Sequence, residues 1–151
     1  MQHYQSHFPF LKNEKNRVLS SVFSRGTLEF IDSLDVENKN DKWIILNSPS
    51  WIKGVDEAVN YAKENSLDYE LVWDVQYEDL LRKLAESRGI NFFPKAGDTC
   101  PRMVIEAKML GCELVLNDNV QHKDEPWFET RDSVRKYLGE RTNVFWNNIE
   151  E

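Results

Sequence analysis

A chain of 151 residues with 40% hydrophobic content carries one ordinary domain's worth of core and needs no disulfide or metal staple to fold. Its 19 basic residues against 26 acidic ones leave a net charge of -7, which disfavours a general nucleic-acid-binding surface. No apolar run approaches the ~20 residues of a membrane-spanning helix, and the start MQHYQSHFPF has neither the basic nor the apolar region of a secretory signal. These features predict a soluble, cytoplasmic protein.

Residues 1–16 read as a loosely organised segment and residues 17–151 as a single domain. Arg17–Phe23 (RVLSSVF) has strand character. In Thr27–Leu34, Leu28, Phe30, Ile31 and Leu34 recur at helical spacing. After the polar loop DVENKND, Trp43–Asn47 (WIILN) is a continuous apolar run of the kind that marks a strand covered on both faces. Val55, Ala58, Val59 and Ala62 then form one helical stripe. Tyr69–Val75 predicts the next strand and Tyr77–Gly89 the next helix, with Gly89 in the C′ place. Ile90–Phe93 predicts a buried strand, the stretch beginning with Pro101 and Arg102 a helix whose first turn the proline pre-sets, and Cys112–Asp118 a further strand. Thr130–Asn148 predicts one or two helices. This rhythm implies a doubly wound, mostly parallel Rossmann-like α/β sheet with helices on both faces. Cys100 and Cys112 fall at opposite ends of one helix, about 18 Å apart. That is too far for a bridge, so both read as free thiols of a reducing compartment.

Ligands of such sheets bind at the carboxyl ends of the strands, which selects three loops: NSPSWIKG, PKAGDTCP and NDNVQHKDEP. Two of them end in a helix start that carries a cation, Lys53 in one and Arg102 in the other. The amino end of a helix is partly positive and prefers acidic neighbours. A phosphate would resolve both violations, because it accepts from helix N–H groups and from a basic side chain together. Two solvated basic side chains are the plainer alternative. Glu106 stands four residues after Arg102 in an otherwise apolar helix. It reads either as an exposed i,i+4 partner of Arg102 or as a carboxylate that accepts hydrogen bonds from sugar hydroxyls.

The segment FFPKAGDTCPRMVIEAKMLGCELVLND resembles the donor-site segment of the group 1 nucleotide-sugar glycosyltransferases, whose two Rossmann-like halves form the GT-B fold. Pro94, Asp98, Glu106, Ala107, Gly111 and the strand ELVLN fall at the places of that pattern. WIILNSPSWIKGVDEAVNYA is similar to the first strand, Lys-Gly pair and following helix of the family's donor half. The resemblance spans Trp43 to Asp118 and implies a C-terminal, donor-binding domain of a hexosyltransferase. It implies that Lys53, Thr99, Cys100 and Arg102 bind the donor diphosphate. Glu106 would hold the ribose hydroxyls, and Asp98, in place of the family's glutamate, would face the donor sugar. Lys53, Asp98 and Glu106 would be the catalytic set, and transfer would retain the anomeric configuration without a metal or other cofactor. The implied partners are a nucleoside diphosphate sugar and an N-terminal acceptor-binding domain that this chain does not contain, so the chain alone is expected to be inactive.

Ser48 departs from the pattern, since it stands where the family commonly has a second diphosphate-binding arginine five residues before the lysine. Other constellations point elsewhere or nowhere. His3 and His7 lack the carboxylate of a zinc-protease helix, His122 is isolated, and no Asp-x-Asp pair exists to hold a metal diphosphate. No G-x-G-x-x-G run supports a dinucleotide site. The rival reading is a non-catalytic sugar-nucleotide-binding or interaction domain.

Overall fold

A computed structural model describes residues 8–12 and 21–150, with side chains up to Asn147. The apolar run WIIL forms β1 (Trp43–Leu46), the centre of a four-stranded sheet with β2 (Tyr69–Val72), β3 (Gly89–Phe92) and β4 (Glu113–Leu116). All pairings are parallel and the order is β2-β1-β3-β4. The chain therefore leaves β1 towards one edge, and then crosses back to build β3 and β4 on the other side. The β1/β3 junction is where the order reverses. The molecule is an α/β domain of Rossmann-like type, and no helix among the described residues is long and apolar enough to cross a membrane.

Consecutive strand residues point to opposite faces, and Ile44 and Ile45 show where each face leads. Ile45 packs with Ala58 and Ala62 of helix α2 (Val55–Glu64), bordered by Val55, Val59 and Phe93. Ile44 belongs to the larger core, with Leu81 and Leu84 of α3 (Tyr77–Glu86) and Val104 and Ile105 of α4 (Arg102–Met109). That core also takes in Leu28 and Ile31 of α1 (Arg25–Ser33) and Val134 and Leu138 of α5 (Arg131–Glu150). The C-terminal segment is one helix behind a 3₁₀ turn at Pro126–Phe128. Its start is fixed by reciprocal bonds, Ser133 N–H to Thr130 Oγ1 at 3.1 Å and Thr130 N–H to Ser133 Oγ at 2.9 Å.

Three expectations change. The strand expected at Arg17–Phe23 lies partly outside the described residues, and Ser21–Ser24 is irregular. Ser24 instead caps α1 by accepting from Thr27 N–H at 3.0 Å. Gly89 opens β3 rather than closing α3, which ends at Glu86 with Ser87 as its C-cap. A Cβ at Gly89 would stand 2.6 Å from the Trp43 ring and 2.5 Å from the Glu113 carbonyl oxygen, so only glycine admits both neighbouring strands there. Pro101 is the N-cap of α4 and not its first helical residue. Most of residues 1–16, with His3 and His7, lies outside the described residues; Pro9–Lys12 forms a 3₁₀ turn.

The helices of the larger face are tied by one side chain. Lys39 Nζ donates to the carbonyls of Ala85 (2.9 Å), Ser87 (3.1 Å) and Leu84 (3.5 Å) at the end of α3, and to Leu110 (2.9 Å) just past α4. These carbonyls lie at or just past helix ends, where the helix dipole favours a cation; Leu84 O also accepts from Ser87 N–H at 3.3 Å. Burial lowers the Lys39 pKa, and the four acceptors offset that cost. Gly111, at φ +70°, turns the chain out of α4 beside the lysine stem. We expect Lys39→Met to destabilise the fold by about 2–4 kcal/mol in urea denaturation. Loss of the exposed Arg25–Glu29 pair through Arg25→Ala should cost less than ~0.5 kcal/mol.

Candidate functional site

The loops at the carboxyl ends of β1, β3 and β4 are bound to one another across the β1/β3 junction. Gly54 adopts φ +64°, and a Cβ there would lie 1.7 Å from the carbonyl oxygen of Phe93, so the β1 loop touches the β3 loop at a point no side chain could occupy. Lys95 N–H donates to Ile52 O at 2.8 Å, and Lys95 Nζ pairs with Glu57 at 2.9 Å. On the other flank, Asn117 and Asn119 both donate from Nδ2 to Pro94 O, at 2.9 and 2.7 Å. Asp98 bridges to Val120 in parallel, with Asp98 N–H on Asn119 O at 2.7 Å and Gln121 N–H on Asp98 O at 3.1 Å. The edge is preset by main-chain contacts and by the two asparagine side chains on Pro94 O.

Lys53 and Asp98 are set on this edge facing each other. Lys53 Nζ donates to Asp98 Oδ2 at 2.7 Å, and the ammonium lies 5.7 Å from the centroid of the Phe92 ring. Their side chains retain 31% and 19% exposure, so water screens the pair and it contributes at most about 1 kcal/mol. Such a pair can be exchanged at small cost for another anion on the lysine.

The second group joins α3 to α4. Glu106 is only 2% exposed, and its Oε1 accepts from the Tyr77 hydroxyl at 2.7 Å and pairs with Arg102 Nε at 3.5 Å. Arg102 Nη2 also donates to the Tyr77 oxygen at 3.3 Å, while its guanidinium carbon lies 4.5 Å from the Phe23 ring centroid and 5.7 Å from that of Tyr77. Burial raises the Glu106 pKa, against the opposing pull of Tyr77 and Arg102. Burial and the bond to Glu106 push the Tyr77 pKa up to about 12, so the phenol keeps its proton and donates it. Among the described residues, no hydrogen bond or ion pair joins this group to Lys53 and Asp98.

The remaining predicted residues divide. Thr99 is exposed on the loop before α4. Cys100 is half-buried, and its Sγ accepts from the Ser21 hydroxyl at 3.1 Å. Both cysteines are free, as expected, and burial pushes the Cys112 thiol up to about 11. Trp51 is 72% exposed on the β1 loop. No group of metal-ligating side chains occurs among the described residues. A pocket lined by Leu34, Asp35, Asn38, Arg82 and Glu86 opens at the opposite end of the strands and touches none of these side chains.

Sequence reasoning did not single out Tyr77, which lies 29 residues before Glu106 and meets it only because α3 and α4 share a face. It also set His122 aside. The imidazole is 4% exposed, stacked on Trp127 at 5.3 Å and edge-on to Phe128 at 4.5 Å, and neither ring nitrogen has a well-formed hydrogen bond. Burial lowers its pKa to about 4, outweighing the Thr99 backbone and the Asp98 charge.

The unfolded chain protonates this histidine below about pH 6.5 while the folded chain keeps it neutral. Stability attributable to His122 is therefore lost as pH falls from about 6.5 towards 4, by roughly 3 kcal/mol when complete. His122→Phe should flatten this part of the stability profile measured by urea denaturation, and a variant profile parallel to wild type would contradict the assignment.

Comparisons with protein-family models, with curated proteins and with solved structures gave no match.

Proposed function

We propose that the chain is the donor-binding half of a GT-B glycosyltransferase, a doubly wound Rossmann-like domain that binds a nucleoside diphosphate sugar for transfer to an acceptor hydroxyl. One observation carries the reading. Lys53 and the amino end of α4, with Arg102 and Glu106, follow β1 and β3, the two strands between which sheet order reverses. Ligand crevices of open α/β sheets form at that place.

The diphosphate would take Lys53 from Asp98 and accept from the N–H groups of Thr99, the half-buried Cys100 and Arg102, Pro101 between them having none. Glu106 would receive ribose hydroxyls. Asp98, freed from the lysine, would accept from a hydroxyl of the donor sugar. As the bond from the anomeric carbon to the diphosphate breaks, the electron pair leaves with phosphate oxygen, and Lys53, Arg102 and the helix end stabilise that charge. No metal is needed in this scheme. The acceptor would come from a separate N-terminal domain, and the setting would be the cytoplasm.

The rival reading, binding without transfer, draws on the near-complete enclosure of Glu106 and on Ser48 in place of a second phosphate-binding cation. Titration with UDP, GDP and ADP and their sugar conjugates, followed by calorimetry and thermal shift, tests the site. At least one nucleotide should bind saturably and raise the melting temperature. Lys53→Ala should weaken it about tenfold, equivalent to ~1.4 kcal/mol, while the variant stays folded. Unchanged affinity in a folded Lys53→Ala protein would remove Lys53 from the site. Saturable binding with no sugar transfer, once an acceptor half is supplied, would favour the rival.

A further inference from the structure

Tyr77 is the first residue of α3, 39% exposed, yet its hydroxyl reaches inward to a carboxylate that is 2% exposed. It accepts from Arg102 Nη2 at 3.3 Å and donates to Glu106 Oε1 at 2.7 Å. Arg102 Nε approaches the same oxygen at 3.5 Å. Both neighbours therefore act on Oε1, and among the described residues no hydrogen bond or ion pair reaches Oε2.

We propose that Tyr77 is a positioning and specificity-determining residue of the nucleotide site: by occupying Oε1 it fixes the Glu106 carboxylate so that Oε2 is presented to one hydroxyl of the ligand. The inference rests on the donor-site reading above. A carboxylate held from two helices loses the rotamer freedom that a ligand would otherwise have to remove. An ionised carboxylate oxygen only accepts, so the group that fits must be a donor. A ribose hydroxyl meets that need. A ligand without it leaves a largely buried carboxylate oxygen unpaired, and sites built to bond a hydroxyl discriminate strongly against analogues that lack it. The chain is thus selective for ribonucleoside over dideoxyribonucleoside diphosphates, and the selectivity depends on Tyr77 although Tyr77 does not touch the sugar.

The test compares UDP, GDP and ADP, each with its 2′,3′-dideoxy analogue, by calorimetry on the full chain. Wild type should bind the ribo form of the preferred nucleotide at least tenfold more tightly than the dideoxy form. Tyr77→Phe should bring that ratio to within about threefold while leaving dideoxy affinity nearly unchanged. Tyr77→His, which keeps a ring and an N–H donor, should restore part of it, and decides the matter should the phenylalanine variant fail to fold. A merely structural role would weaken both forms alike and leave the ratio where it was. That outcome in a folded variant overturns the role of Tyr77 and leaves the donor site standing. No binding of any nucleotide by wild type at millimolar concentration overturns the donor site and this inference together, and equal binding of ribo and dideoxy forms removes Glu106 and Tyr77 from sugar recognition.

Discussion

The close approach of Gly54 to the Phe93 carbonyl is the contact on which the rest of the edge depends. With a Cβ position only 1.7 Å from that oxygen, no other residue could bring the β1 loop onto the β3 loop. Lys53 precedes this glycine and α2 begins directly after it, so the contact sets both the reach of the lysine and the entry angle of the helix. Asp98 is fixed separately, by its parallel bridge to Val120. The 2.7 Å ion pair then joins two positions already determined by backbone. A surface ion pair is too weak to draw two loops together, so the order of cause runs from the glycine to the pair and not the reverse.

Two cations govern the larger face, at opposite ends of its helices. Lys39 serves the carbonyl ends of α3 and α4, where a cation is favoured by helix polarity. Arg102 stands at the amino end of α4, where polarity opposes it. The unfavourable dipole interaction is ~0.3–1 kcal/mol, less than a charge-assisted hydrogen bond of ~1.5–3 kcal/mol. Arg102 has a hydrogen bond to Tyr77, an ion pair with Glu106 and the Phe23 ring beneath it. An intramolecular partner set therefore outweighs the helix end. The misplaced cation needs no external phosphate to be stable, although it remains half-exposed and able to meet one.

Strand and helix positions were legible because burial on two faces leaves apolar runs such as WIILN, and one-sided helices leave stripes such as Val55, Ala58, Val59 and Ala62. The irregular Ser21–Ser24 was misread because Val22 and Phe23 are apolar for a different reason: Phe23 fills the core beside Arg102 rather than a strand position. Gly89 looked like a helix end since both roles ask for glycine, one for its backbone freedom and the other for its missing side chain. Lys39 sits in the polar run DVENKND, and its acceptors lie 45 to 71 residues away; nothing local distinguishes it from a solvated lysine. Lys53, Asp98, Arg102 and Glu106 are all marked in the sequence, and the i,i+4 spacing of Arg102 and Glu106 already offers their pairing. The Lys53–Asp98 pair and the approach of Tyr77 to Glu106 depend on loop geometry and helix packing that spacing does not encode.

That pairing bears directly on how a ligand would be received. Separated charges on an open edge would each be hydrated and mobile, and binding would have to order every one of them. Here the Lys53 ammonium is already aligned by a carboxylate, and the Glu106 carboxylate by a phenol and a guanidinium, so each polar group is held by an internal counterpart of the chemistry proposed for its ligand. Asp98 would stand in for the phosphate oxygen of the proposed ligand, and the Tyr77 hydroxyl resembles a sugar hydroxyl in both what it donates and what it accepts. The two surrogates differ in how readily they yield. The partly exposed Lys53–Asp98 pair can open in water, whereas breaking the Tyr77–Glu106 bond would strand a buried carboxylate. On the proposed reading, exchange would therefore belong at Lys53 and orientation at Tyr77, the division of labour expected of an edge that admits a charged group and recognises a neutral one.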